Sequence, residues 1–177
     1  VDRWVRSGGW RKDIPDTAKC YYRLYKFGDM HRLIAAYESM LREYGSMKEY
    51  VRSHASTGIE AVSAICRYFA EHDASTVVPR NTQSACKRVC MFLRWMVRSG
   101  SPVDLGLWAD IIDRRTLIMP LDTHVVQEAL RLGLLKSRTA SMATARRLTD
   151  AMLEVFSDDP LRGDFALFGL GVDEDSK

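Results

Sequence analysis

The clearest helical pattern in the chain is QSACKRVCMFLRWMVR, which runs from Gln83 to Arg98. On a helical wheel its small and apolar side chains fall on one broad arc, and Lys87, Arg94 and Arg98 cluster on the opposite side. This arrangement is typical of an amphipathic helix, and it predicts a cationic stripe on the solvent side. A solvated polar face and a nucleic-acid contact both explain such a stripe.

Apolar residues recur at spacings of three and four along most of the chain, and strand-like alternation is scarce. The sequence therefore predicts an all-α protein of eight to ten short helices. Capping residues, glycines and prolines set the expected boundaries. We expect helices over about 16–27, 29–45, 46–54, from 57 to a loop at 72–82, and over 83–98, 104–112, 122–132, 141–156 and 161–170.

The chain has 177 residues, of which 46% are hydrophobic and 28% charged. These values exclude a disordered chain and predict one compact helical domain over residues 1–177. No apolar run reaches 18 residues, so no membrane-spanning helix is expected. The four cysteines do not suggest a disulfide framework, which favours a cytoplasmic location. Residue 1 is Val1 and no signal-peptide pattern follows, so we expect an upstream N-terminal segment to be missing.

Positive charge is concentrated in the N-terminal half of the chain. Residues 1–99 carry 17 Lys and Arg against 10 Asp and Glu, a net charge of +7. Residues 100–177 carry 9 against 13, a net charge of −4. A polyanion such as DNA binds a basic surface of this kind, and ordinary solvated helix faces are the alternative.

Lys87 and Asp122 are the two candidate reactive residues. Lys87 lies close to the expected start of its helix, where the helix dipole and the neighbouring Arg88 both disfavour an ammonium group. A neutral amine is the form that Schiff-base chemistry needs. Asp122 lies in the position of a helix N-cap, where backbone N–H groups hold a carboxylate ionised and fixed in direction. The alternatives are a solvated lysine and a purely structural cap.

Other site chemistries find little support in the sequence. His124 falls in the first turn of the helix that Asp122 caps, and core, supporting and catalytic roles all stay open for it. The four histidines lack metal-ligand spacing, so we expect neither a metal site nor a cofactor. Cys86 and Cys90 lie toward the apolar arc and are interpreted as small core residues. Phosphate-loop, nucleophile-elbow and zinc-protease motifs are absent from the sequence.

Three segments resemble the helix-hairpin-helix/GPD superfamily of DNA glycosylases. PLDTHV at residues 120–125 resembles the V-D-T-H-V turn of those enzymes, and DFALFGLGV at 164–172 is similar to their late F-N-x-A-L-x-x-L-G helix. KRVCMFLRWM at 87–96 is similar to the K-T-x-x-F-x-x-K-M helix of archaeal 8-oxoguanine DNA glycosylases. The resemblance covers a glycosylase-like core at 80–172, and it is nearest to an uncharacterised bacterial family allied to that archaeal branch.

The resemblance implies a helix-hairpin-helix/GPD-like fold and a DNA-repair glycosylase with AP lyase activity that excises an oxidised purine such as 8-oxoguanine. Lys87 would form the Schiff base and Asp122 would assist, with both side chains facing one cleft. The enzyme would act as a monomer on double-stranded DNA, without a cofactor or membrane contact. The residues expected to bind DNA are Arg88, Arg94, Arg98 and His124. The alternatives are a non-catalytic nucleic-acid-binding protein on the same scaffold and a helical protein-interaction domain.

Overall fold

The computed structural model describes residues 1–164 together with 166, 167 and 169. Over these residues the chain is mostly helical, as the sequence predicts. The elements in chain order are α1 (Asp2–Arg6), α2 (Trp10–Asp13), β1 (Cys20–Tyr22), β2 (Tyr25–Lys26), α3 (Phe27–Tyr44), α4 (Met47–His54), α5 (Gly58–Glu71), α6 (Lys87–Val97), a 3-10 turn (Arg114–Thr116), α7 (Thr123–Arg131) and α8 (Met142–Val155). The two short strands fall outside the all-α prediction.

Contacts within the chain divide it into two compact units. Unit 1 comprises Val1–His54 and Ser63–Asn81, and unit 2 comprises Ala55–Val62 and Thr82–Lys177. Helix α5 contributes its first residues to unit 2 and the rest to unit 1. The prediction of a single domain over residues 1–177 stays a prediction.

Unit 1 is organised around α3, which packs against α1, α4 and the two strands. The indole of Trp10 is completely buried in this unit. The Tyr50 hydroxyl donates a hydrogen bond of 2.9 Å to the backbone oxygen of Ala64, so a buried polar group is satisfied. Asp29, expected as the N-cap of α3, lies inside its first turn and accepts a 2.8 Å hydrogen bond from the Lys26 backbone N–H.

The helix predicted over 16–27 is wrong, because residues 20–26 form a two-stranded antiparallel hairpin. Arg23 occupies the turn with a φ of +53°, a left-handed conformation that an α-helix does not contain. Tyrosines lie in both strands, and aromatic residues favour strands over helices. One helical turn of apolar spacing was therefore too short a pattern to decide between the two structures.

Unit 2 contains a buried segment, 117–121, that leads directly into α7. At its start, the Gly58 backbone N–H donates a 2.8 Å hydrogen bond to Thr116 Oγ1. A Cβ atom at Gly58 would lie 2.3 Å from the Thr116 backbone oxygen, so only glycine fits at this close approach. In its middle, the Met119 backbone N–H donates a 3.0 Å hydrogen bond to Thr149 Oγ1 on α8. These bonds anchor the segment that ends at Asp122.

Most predicted helix boundaries are confirmed. Helices α4, α5, α7 and α8 begin directly after Ser46, Thr57, Asp122 and Ser141. Residues 104–112, predicted as a short helix, form turns instead. Residues 162–164, 166, 167 and 169 of the last predicted helix are helical. The other positions of the glycosylase-like segment at 164–172, namely 165, 168 and 170–172, lie outside the described residues.

Within the described part of the chain, the structure contains no helix with the length and apolarity needed to cross a bilayer.

Candidate active site

Lys87 is the first residue of α6, four positions later than the sequence predicts for the start of this helix. The delay has a tertiary cause. Ser84 forms an isolated β-bridge with Ser141, and the Ala85 backbone N–H donates a 3.3 Å hydrogen bond to the oxygen of Ala140. Cys86 then turns the chain into the helix with a left-handed φ of +48°. The lysine thus begins a helix whose start is held next to the start of α8.

Asp122 is the N-cap of α7, as the sequence predicts. Its Oδ1 accepts a 2.8 Å hydrogen bond from the Val125 backbone N–H. This bond satisfies one of the N–H groups that the first turn of a helix leaves without a partner. The buried segment before Asp122 and the helix after it together fix the direction of the carboxylate.

The structure brings Lys87 and Asp122 together, although 35 positions separate them in the sequence. Lys87 Nζ donates to Asp122 Oδ2 over 3.2 Å. The lysine side chain is 48% exposed and the aspartate side chain 19% exposed, so the pair is open to solvent on the lysine side. Each carboxylate oxygen has one partner: Oδ1 caps the helix and Oδ2 faces the amine.

The Lys87–Asp122 pair lines a cleft of about 540 Å³, a size in the usual range for small-ligand sites. The starts of α6 and α7 line it, beside a residue that lies two positions before α8. Lys87 begins α6, Thr123 begins α7, and Ala140 leads into α8. The free N–H groups and dipoles of helix N-termini favour negative charge nearby. The cleft therefore suits an anionic ligand that also has a group to place against an amine and a carboxylate.

The prediction that Arg94 and Arg98 form an exposed cationic stripe on α6 is wrong. Both side chains are buried, at 2% and 10% exposure. Arg98 donates to Asp104 over 2.8 Å and to Asp159 over 2.9 Å. Arg94 pairs with Asp164 and lies 3.6 Å from Asp104. Buried guanidinium groups need such carboxylates to offset their lost hydration, so neither reaches a DNA phosphate from this position.

Asp164 connects this buried network electrostatically to the candidate site. Burial raises the pKa of the Asp164 carboxyl to about 6, against the opposing effect of the Arg94 guanidinium. The charge of Asp122 raises this pKa further, whereas the charge of Lys87 lowers it. Asp164 therefore lies within electrostatic range of both members of the pair. Sequence reasoning did not single out this residue, because its carboxylate matters only through partners that lie far along the chain.

The other residues predicted to bind DNA occupy different positions. Arg88 is exposed and follows Lys87 on α6, and His124 is half-buried in the first turn of α7. The cleft also contains a residue that sequence reasoning missed, Arg138, which is exposed. A signal for it exists in the sequence, since every charged residue from 129 to 149 is basic.

The described residues give little support for a cysteine nucleophile or a metal site in unit 2. Burial raises the pKa of the Cys90 thiol to about 12, so the reactive thiolate does not form near neutral pH. Cys86 and Cys90 are both core residues, as predicted. Among the described residues, no group of three or more His, Cys, Asp or Glu side chains is arranged to hold a metal ion.

Comparison with known proteins identifies the family of this chain. A family profile described as protein of unknown function (DUF2400) matches residues 2–173, which is nearly the whole chain. Searches of curated proteins and of solved structures gave no match.

Proposed function

We propose that this chain, which belongs to the DUF2400 family of proteins of unknown function, is a DNA glycosylase with AP lyase activity on a helix-hairpin-helix/GPD-like scaffold. Its substrate is an oxidised purine of the 8-oxoguanine type in double-stranded DNA. The sequence resemblance over residues 80–172 suggests this chemistry. The structure supports it with an amine and a carboxylate in one cleft.

The single observation that carries the proposal is the 3.2 Å contact between Lys87 Nζ and Asp122 Oδ2. The two residues come from the starts of two different helices, so the contact is not a by-product of helical spacing. A half-exposed ion pair of this kind adds only about 0.5 kcal/mol of stability, which is a weak reason to bring two helix starts together. A nucleophilic lysine with a carboxylate that accepts its proton gives the contact a chemical role.

The reaction can be written with these two side chains. The damaged nucleotide leaves the base stack so that its C1′ atom reaches the cleft. Lys87, as a free amine, forms a bond to C1′ and the bond from C1′ to the base breaks, with its electron pair leaving on the base. Asp122 accepts the proton that the attacking nitrogen loses and passes it to the departing base. Its negative charge also stabilises the positive charge that develops on the sugar.

The lyase step follows from the same covalent bond. Opening of the sugar ring converts the Lys87 adduct into a protonated imine, with the ring oxygen taking up a proton. Loss of a proton from C2′ then expels the 3′ phosphate and breaks the strand. Water finally hydrolyses the imine and restores the lysine. Neither step calls for a cofactor, and the strand break is a product that a simple hydrolytic glycosylase does not make.

A second candidate is a non-catalytic nucleic-acid-binding protein on the same scaffold. The observation that favours it is that Asp122 already has a structural role as the N-cap of α7. Under this alternative the contact with Lys87 is an ordinary surface ion pair. Fold similarity does not by itself decide between the two candidates.

Borohydride trapping on duplexes with single oxidised purines tests the proposal. The chain should form a covalent adduct with at least one lesion duplex, because borohydride reduces the imine to a stable amine. Lys87→Gln and Lys87→Arg should both abolish trapping and strand cleavage. Lys87→Arg is the sharper variant, since arginine keeps the positive charge beside Asp122 but does not form an imine.

A matched control is Lys12→Gln, which removes an exposed lysine from α2 in unit 1. This variant should trap like the unmodified protein. Trapping that survives in Lys87→Arg would assign the nucleophile to another amine. Failure of the unmodified protein to trap any lesion duplex while it still binds DNA would favour the non-catalytic candidate.

A further inference from the structure

A strongly basic surface lies next to the cleft in a half of the chain that is acidic overall. Residues 129–149 contain five basic residues and no acidic one. All five are exposed, and Arg131 is paired with Glu128; the other four are Lys136, Arg138, Arg146 and Arg147. Within the part of the chain that the structure describes, none of these four forms an ion pair. We refer to these four residues as the basic surface.

Carboxylates neutralise five of the other arginines of unit 2, whereas Arg162 lies over the Phe156 ring and forms no ion pair with a described residue. Arg114 pairs with Asp158 over 2.6 Å, and Arg131 pairs with Glu128 over 2.7 Å. Arg98 is buried between two aspartates. Most of the uncompensated positive charge among the described residues of this unit therefore lies on the basic surface, where a negatively charged partner gains most from binding.

The basic surface is continuous with the Lys87–Asp122 cleft. Arg138 lines the cleft itself. Two residues further on, Ala140 accepts the backbone hydrogen bond from Ala85 that holds the start of α6 against the start of α8. Lys136 and Arg147 line a second, smaller cleft of about 270 Å³, together with the hydroxyl-bearing Ser137 and Thr144. Basic side chains and hydroxyl groups are common ligands of phosphate oxygens.

The chemistry of this surface favours a nucleic-acid backbone over a lipid membrane. Proteins that bind membranes through basic residues normally add apolar side chains that enter the bilayer. Among the described residues from 136 to 147, no large hydrophobic side chain is exposed, whereas Leu132 and Val155 on either side of this stretch are exposed. Within that stretch the surface offers positive charge and hydroxyl groups, and a row of phosphates needs only these.

We propose that Lys136, Arg138, Arg146 and Arg147 bind the phosphate backbone of double-stranded DNA. Arg138 holds the phosphate beside the nucleotide that enters the cleft, a detail that rests on the proposed function. The basic surface replaces Arg94 and Arg98 as the site of backbone contacts. Its role in binding does not depend on whether Lys87 reacts.

The test measures the affinity of the full chain for an undamaged duplex by fluorescence anisotropy at several salt concentrations. Each phosphate contact contributes about −0.9 to the slope of log affinity against log salt concentration. The triple variant Lys136→Ala/Arg146→Ala/Arg147→Ala should therefore flatten the slope by about 2.7. Between about 50 and 200 mM salt, its affinity should fall about 40-fold less than that of the unmodified protein.

A matched control removes the same charge from elsewhere in unit 2. The triple variant Arg114→Ala/Arg115→Ala/Arg131→Ala replaces three exposed arginines that are each paired with a carboxylate. This control should change the slope by less than about 0.9, the contribution of one phosphate contact. Equal flattening by both triple variants would overturn the proposal, because only net charge would then matter. Arg146→Lys/Arg147→Lys keeps both charges and should retain the full slope, whereas a loss of slope there would indicate a folding defect.

Further measurements separate this proposal from its alternatives. Vesicles with anionic lipid should bind the chain more weakly than the duplex does at the same salt concentration. Strong vesicle binding that the triple variant Lys136→Ala/Arg146→Ala/Arg147→Ala abolishes, without duplex binding, would assign the surface to membranes instead. If the triple variant Lys136→Ala/Arg146→Ala/Arg147→Ala bound the duplex with normal affinity and still formed the trapped adduct, the DNA-binding role of the basic surface would be overturned. The proposed function would not be affected. If the same variant flattened the salt dependence of DNA affinity but the unmodified protein trapped no lesion duplex, the DNA-binding role of the surface would be supported. The proposed function would then be overturned.

Discussion

Replacing Asp122 by asparagine separates the two roles of its carboxylate, because each oxygen has its own partner. Oδ1 accepts the Val125 backbone N–H over 2.8 Å, and Oδ2 faces Lys87 Nζ at 3.2 Å. An asparagine keeps the oxygen that caps α7 but offers the lysine an amide in place of a charge. An alanine removes both interactions. The two variants therefore differ in stability, whereas catalysis by the carboxylate is lost in both.

The expected stability changes follow from these contacts. Asn is as good an N-cap as Asp, so Asp122→Asn loses only a half-exposed ion pair of about 0.5 kcal/mol. Asp122→Ala loses the cap as well, which adds about 1 kcal/mol. In a chain of this size each kcal/mol lowers the melting temperature by about 2–4 °C. We expect a decrease of about 1–2 °C for asparagine and about 3–6 °C for alanine.

The catalytic effect should be much larger and nearly equal in the two variants. Removing a charged group that stabilises a transition state typically slows the reaction by about 100- to 1,000-fold. Melting followed by far-ultraviolet circular dichroism gives the stability order. Single-turnover release of the damaged base from a lesion duplex gives the rate. Both measurements use the same protein preparations, so a rate loss in a folded variant is visible directly.

Two results would refute this reasoning. Base release by Asp122→Asn at the rate of the unmodified protein would reduce the aspartate to a helix cap. The Lys87–Asp122 contact would then be an ordinary ion pair, and the non-catalytic candidate would be favoured. Equal melting of the asparagine and alanine variants would instead show that the cap bond to Val125 does not stabilise α7, against the geometry of the N-cap.

The buried network leads to two more predictions. Since burial raises the pKa of Asp164 to about 6 from an ordinary value near 4, the folded state prefers the protonated carboxyl, so this group's contribution to stability falls as pH rises. Urea titrations of the unmodified protein and of Asp164→Asn measure this effect. The unfolding free energy of the unmodified protein relative to the variant should drop by about 3 kcal/mol from about pH 4 to about pH 7. A difference that does not change with pH would contradict the raised pKa of Asp164. Arg98→Met should cost about 3–5 kcal/mol in unfolding free energy, because it leaves the buried Asp159 without its cation and leaves Asp104 with Arg94 alone. If Arg98→Met were stable but bound DNA more weakly, Arg98 would be assigned to DNA binding instead of to the buried network.

Much of the helical framework was readable from local sequence. Helices α7 and α8 begin after Asp122 and Ser141, whose side chains each accept a backbone N–H from the first turn. Capping and apolar spacing act over three or four residues, so a single sequence contains them in full. The same locality explains why the position and orientation of the Asp122 carboxylate were predictable.

The tertiary structure alone decided which charges of α6 are exposed. A helical wheel sorts residues by the polarity of one helix, and it assigned Arg94 and Arg98 to the solvent side with Lys87. Their carboxylate partners include Asp164 and Asp159, which are 70 and 61 positions away along the chain. A guanidinium group can be buried only beside such carboxylates. The sequence near α6 does not show whether distant carboxylates pack against it. The start of α6 is a second example: the helix begins at Lys87 and not at Gln83, because residues 84–85 pair with a distant segment instead of joining the helix.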